Sequence, residues 1–115
     1  MAVTKITPIE GKENKLTALT FTAATAVADG FEINTKAVSD EKLVVVVYNA
    51  DSASKKITLK KPTNGGYAAA SADEALSMGT GTYAFLRIET ARFANYDGTV
   101  KLVPESTNVK IAVLA

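Results

Sequence analysis

The strongest pattern in the chain is the run Leu43-Val44-Val45-Val46-Val47-Tyr48-Asn49, which is apolar at every position up to Tyr48 and carries no helical stripe. Consecutive β-branched residues favour an extended backbone. Because both faces of the run are apolar, it predicts a strand that meets protein on both sides. Asp40 to Lys42 before it and Asn49-Ala50-Asp51-Ser52 after it are charged or turn-prone and bound the element. On this reading a charge at Val45 or Val46 unfolds the domain.

Weaker alternations surround that strand. From Lys15 to Ala23, Leu19, Phe21 and Ala23 point one way while Ala18, Thr20 and Thr22 point the other, the pattern of a half-buried strand. Phe31 and Ile33 alternate inward after the Asp29-Gly30 turn, and Ile57 and Leu59 do so in Lys55 to Lys61, which Pro62 ends. Tyr83 to Glu89 is the second strongest strand. Its register is ambiguous, because Phe85 and Leu86 are adjacent and call for a bulge or double burial. Asp97-Gly98 marks a turn, Thr99 to Val103 a strand, and Val109, Ile111 and Val113 share one face of the last strand. Two readings compete for residues 71–78. Ser71-Ala72-Asp73-Glu74 fits a capping box for a short helix ending at Gly79, and Glu74 to Met78 fits a strand turned by Gly79-Thr80-Gly81-Thr82. A two-turn helix is marginal alone, which favours the strand.

Residues 1–14 stand apart. Val3 to Ile9 lacks clean alternation, and Pro8 cannot donate to a ladder, so the segment reads as an edge strand or an N-terminal arm, with the sandwich over 15–115. No long helical stripe occurs anywhere. The expected fold is all-β: a single antiparallel β-sandwich or small barrel, jelly-roll or immunoglobulin-like, with at most one short helix. Immunoglobulin proper lacks support, since cysteine and tryptophan are missing.

Composition narrows the chemistry. A chain of 115 residues, 47% hydrophobic and 22% charged, suits one soluble folded domain. Thirteen basic and twelve acidic residues nearly cancel, so there is no global basic field for nucleic acid. Neither a signal peptide's apolar core nor a membrane-spanning run is present, which leads us to expect a cytosolically made protein with no membrane partner. Without His or Cys the usual bases, nucleophiles and transition-metal ligands are missing. Asp40-Glu41 and Asp73-Glu74 read as solvated charges, because neighbours in a strand point apart whereas a glycosidase needs carboxyls facing across a cleft. Asn95, Asp97 and Gly98 only faintly echo a calcium loop. We therefore expect no catalytic residue, no metal and no cofactor. Lys55, Lys56, Lys60 and Lys61 form a local basic patch without aromatics to stack bases, and lysines on an exposed strand discourage edge pairing. Arg87, Glu89 and Arg92 near Phe93 and Tyr96 suit a protein interface, while Phe93 reads at least as well as a core plug at the sandwich end; the apolar Tyr67-Ala68-Ala69-Ala70 stretch fits a contact patch and packing over the barrel mouth equally.

The order of these pieces resembles a family. The valine strand ending in Tyr48-Asn49 is followed by the Lys55-Ile57-Leu59-Lys60 strand and the Gly79–Gly81 turn. Then come Phe85 to Thr90, Ala91-Arg92-Phe93, Asp97-Gly98 and a terminal Val109-Lys110-Ile111-Ala112-Val113 strand. From about Lys42 onward, and more loosely over Val3 to Phe21, this resembles small tailed-bacteriophage virion structural proteins of the head decoration (capsid cement) kind; the 63–78 loop departs from them. The resemblance implies a non-enzymatic, homo-oligomeric subunit, made in the host cytoplasm and placed on the virion's capsid surface, where its partner is the major capsid protein lattice. It also likens residues 1–14 to arms that order on a capsid. The candidate partner contacts are then Lys5, Thr7, Pro8, Tyr67, Arg87, Arg92 and Tyr96. The alternatives are a β-sandwich adhesion or carbohydrate-binding module, whose exposed aromatic platforms this chain does not obviously have, and another phage neck or tail accessory protein.

Overall fold

The computed structural model describes residues 3–10, 16, 18–36, 42–66 and 69–115. Tyr67, the polar turn at 11–14 and the pair Asp40-Glu41 lie outside the described residues. The strands in chain order are β1 (Thr4–Ile6), β2 (Thr22–Ala23), β3 (Phe31–Asn34), β4 (Val44–Asn49), β5 (Lys55–Leu59), β6 (Glu74–Met78), β7 (Tyr83–Arg87), β8 (Thr99–Pro104) and β9 (Val109–Leu114). One turn of helix, α1 (Thr90–Phe93), follows β7. Residues 74–78 are thus a strand.

Two sheets form a β-sandwich: a first in the order β1-β3-β8-β5-β6 and a second in the order β2-β9-β4-β7. Side chains from both inner faces make the core. Phe31, Ile33, Val100, Leu102, Ile57 and Leu59 come from the first sheet, and Val45, Val47, Val109, Ile111 and Val113 from the second. Each such side chain contributes roughly 1.5–3 kcal/mol on burial. Gly30 is required where the chain enters β3: its φ is +62°, and a Cβ there would lie 2.4 Å from the Leu102 carbonyl oxygen.

The valine strand is interior in the hydrogen-bonding direction, between β9 and β7. Its two faces differ. Val45 is fully buried and Val47 nearly so, whereas Val44, Val46 and Tyr48 are half-buried on the outer face of the second sheet. The expectation that both faces are fully covered is corrected here. An apolar run shows that neither face is polar, but not that a layer lies over each.

Three further expectations are corrected. The face carrying Leu19, Phe21 and Ala23 does not join the core. Only Thr22–Ala23 is a strand, Leu19 is exposed, and Phe21 packs on rings of the second sheet's outer face. Alternation identified an apolar face without saying which side of the sheet it would cover. Phe85 and Leu86 need no bulge: β7 pairs residue for residue with β4, Leu86 turns toward the core, and Phe85 stands outside, 74% exposed. Finally, β5 is flanked by β8 and β6, so its lysines do not guard an edge.

The N-terminal segment touches both sheets. β1 runs parallel to β3 with Thr4 opposite Phe31 and Ile6 opposite Ile33, and Ile6 is buried. Beyond Pro8, Ile9 bridges to Leu114 in parallel: its N–H donates to the Val113 carbonyl at 2.7 Å, and its own carbonyl accepts from the Ala115 N–H at 2.9 Å. Pro8, with no N–H, occupies the crossing point between the two ladders.

The two faces of β4 give a paired prediction. Val45→Lys places an unmatched charge in the core and should cost more than about 4 kcal/mol, enough to unfold most of the population. Val46→Lys can run its stem over Ala112 and Phe85 and keep its amine in water, so its cost should stay within about 1.5 kcal/mol. Urea titrations followed by circular dichroism check both; equal losses would contradict the assignment of faces.

Candidate functional site

The site begins at the buried end of β4. Asn49 has no exposed surface, yet all its polar groups are engaged. Its Nδ2 donates to the carbonyls of Ala53 (3.1 Å), Met78 (2.9 Å) and Gly79 (3.3 Å), and its Oδ1 accepts from the Asp51 N–H at 2.9 Å. Its main chain donates to the Thr82 carbonyl and accepts from the Gly81 N–H. Gly81, at φ +71°, allows the chain to reverse there. Asn49 therefore fastens the β6–β7 turn, which passes between sheets, to the end of β4.

Asp51 extends the cluster to the β8–β9 turn. Its Oδ2 accepts from the Ser106 hydroxyl at 2.7 Å and the Asn108 amide at 3.1 Å, and its Oδ1 from the Ala53 N–H. The Ser106 bond first, then the Asn108 bond, hold this carboxyl below its ordinary value of 3.8, with smaller help from the Ala53 N–H and Lys55. Two other carboxyls are lowered in the same way. Asp73 accepts from the Lys60 ammonium at 2.8 Å and from the Lys61 N–H, closing the base of the 61–73 loop. Asp97 accepts from the Thr99 hydroxyl and N–H. All three are committed to loops.

From the end closed by Asn49, β6 and β7 run in different sheets. Among the described residues β6 pairs only with β5 and β7 only with β4, so each is the edge of its sheet as described. Between them the sandwich opens into a cleft of about 470 Å³. Its floor is core, with Val47, Ile57, Leu59 and Leu102; Leu76 and Phe85 form its lips, and Phe93 packs at its end. Glu74, Arg87, Glu89 and Arg92 add charge to the lining. Leu76 faces inward opposite Ile57 but remains 51% exposed, since among the described residues no strand lies across from it.

The outer face beside the cleft is aromatic. Tyr48 and Tyr83 stand directly opposite in register, and their rings stack at 4.4 Å between centroids. The main-chain bond from Asn49 N–H to Thr82 makes Tyr48–Tyr83 a non-hydrogen-bonded pair, the closer of the two pair types, which brings the rings together. Phe21 meets both edge-on at 6.2 and 6.1 Å. Tyr83 is still 65% exposed.

Of the contacts proposed from sequence, Arg87 and Arg92 both line the cleft. Tyr96 is exposed elsewhere, beside the 63–66 loop: its N–H donates to the Asn64 carbonyl, while the Asn95 side chain accepts from the Thr63 and Asn64 N–H groups. Lys5 and Thr7 are exposed and Pro8 half-buried by the β1 edge, at the other end of the first sheet from β6. Sequence reasoning missed Phe85, Tyr83 and Leu76 as surface residues. The one available signal was the Phe85-Leu86 adjacency, which no alternating strand can bury on one face. Among the described residues no group of three or more His, Cys, Asp or Glu could hold a metal ion. Compared with protein-family models, curated proteins and solved structures, the chain matches none.

The Asn49–Asp51 cluster yields two predictions. Asn49→Leu leaves buried carbonyls without a donor and should lower stability by about 3 kcal/mol in denaturant titration; a change below about 0.5 kcal/mol would show that the cluster is incidental. Carboxyls held below 3.8 in the fold contribute stability that is fully present above that value and is lost as pH falls through the lowered one. The Tm should therefore be flat down to about pH 4 and fall below it, less steeply in Asp51→Ala.

Proposed function

We propose that this chain is a non-enzymatic virion structural protein, a head decoration subunit that binds the assembled phage capsid and stabilises it. The observation that carries the reading is what the surface offers. The polar side chains traced above serve loops and turns, while large apolar residues stand outside a well-packed core: Tyr83, Phe85 and Leu76 at the open edge and Tyr96 beside the 63–66 loop. Exposed aromatics next to arginine suit a protein interface. The resemblance of the strand order and of Ala91-Arg92-Phe93 with Asp97-Gly98 to decoration proteins supplies the partner, the major capsid protein lattice. A subunit that binds only the assembled lattice stabilises it by mass action. Lys5 and Thr7, exposed by the β1 edge, and Tyr96 are the lattice-facing contacts in this reading.

The adhesion or carbohydrate-binding alternative needs aromatic faces open to a sugar. Tyr48 and Tyr83 cover one face of each other, which favours the lattice reading.

The test is co-sedimentation of the purified protein with expanded empty capsids of the phage that encodes it. The wild type should pellet with the capsids, and Lys5→Glu combined with Thr7→Glu should reduce the pelleted fraction about tenfold, the effect of losing about 1.4 kcal/mol, with an unchanged Tm. No wild-type co-pelleting removes the decoration function, and micromolar binding on a glycan array would replace it with the adhesion module.

A further inference from the structure

The free edges of this sandwich are not alike. β2 has only two residues. β1 carries Lys5 and runs into Pro8. β6 turns a carboxylate inward, since Glu74 lies opposite the core residue Leu59. Shortness, lysine, proline and inward-pointing charge are the devices that keep sheet edges from pairing with other chains. β7 has none of them. Tyr83-Ala84-Phe85-Leu86-Arg87 is five residues long, unbulged against β4, and turns only Ala84 and Leu86 inward.

Among the described residues the main chain of Tyr83 and Phe85 has no partner on the side away from β4. The bond from Asn49 N–H to the Thr82 carbonyl sets the alternation, so Thr82, Ala84 and Leu86 direct their main-chain groups at β4, and Tyr83 and Phe85 direct theirs away from it.

We propose that β7 pairs antiparallel with β7 of a second copy of this chain, about a two-fold axis at Phe85, joining two four-stranded sheets into one of eight strands. The sequence is self-complementary in that register. Phe85 meets the partner copy's Phe85 in a hydrogen-bonded pair, and Tyr83 lies opposite the partner copy's Arg87 in the same register. A two-fold contact requires such self-complementarity. The exposed parts of four rings supply roughly 400–600 Å². With the strand backbones and the nearby Leu76, the total reaches roughly 1,000 Å², the low end for a specific, reversible dimer. A contact of that size is a weak, reversible one.

The test uses the purified full chain without capsids, so its outcome is separate from that of the lattice reading. Sedimentation equilibrium should show a monomer–dimer equilibrium for the wild type and monomer for Phe85→Lys, whose Tm should be unchanged because Phe85 lies outside the core. The chain has no native cysteine, so single cysteines report the register even if Phe85→Lys folds poorly. Phe85→Cys chains should form a disulfide-linked dimer under mild oxidation. Tyr83→Cys chains alone, held about 13 Å apart by four strand residues, and Ser54→Cys chains in the β4–β5 loop should not. A monomeric wild type, a dimer that survives Phe85→Lys, or cross-linking no faster at Phe85→Cys than at Ser54→Cys would each overturn the proposal.

Discussion

One buried amide decides how this sandwich closes. Asn49 sits where β4 leaves the core, and a polar side chain with no access to water must find partners inside the protein. It finds them in three stretches: its own β4–β5 loop at Ala53, the last residue of β6, and the turn that carries the chain from β6 to β7. Asp51 then draws in the β8–β9 turn through Ser106 and Asn108. Connections from both sheets are thus fixed at one end of the molecule. β6 and β7 leave that clamp in different sheets, with the cleft lined by both.

That separation explains why the surface is uneven. Hydrophobic burial alone would favour closing β6 over β7, since Leu76 remains in water while core residues lie at the cleft floor. The ladders act against closure. β6 is committed to β5 and β7 to β4 over five paired positions each, and bringing the two edges together would break those registers. The result is a firm core with one unsealed side, bordered by aromatic rings and charged residues.

Much of the inner face is legible in the order of residues alone. Phe31 and Ile33, Ile57 and Leu59, and Val109, Ile111 and Val113 all lie inward as their period-two spacing requires, because alternation is a local property of a strand. What was not legible was non-local. Nothing near Asn49 in the sequence announces Met78, 29 positions away, and the residue reads simply as the start of a turn. Likewise the Leu19-Phe21-Ala23 face is apolar whether it meets the core or, as it does, the outside of the second sheet. Phe85 was ambiguous for the same reason: its neighbour Leu86 had an equal claim on the interior, and only the pairing with β4 decides between them.

The crossing of the N-terminal segment at Pro8 has a mechanical side. Ile9 lies parallel to Leu114, held by its bonds to Val113 and Ala115, and β1 lies parallel to β3. In a parallel pair, tension applied from the two ends of the chain slides one strand along the other, so the bonds resist together in shear instead of peeling one by one. The Ile9–Leu114 contact is therefore loaded in shear when its two segments are drawn apart along their length, the direction in which a pair of bonds gives way last.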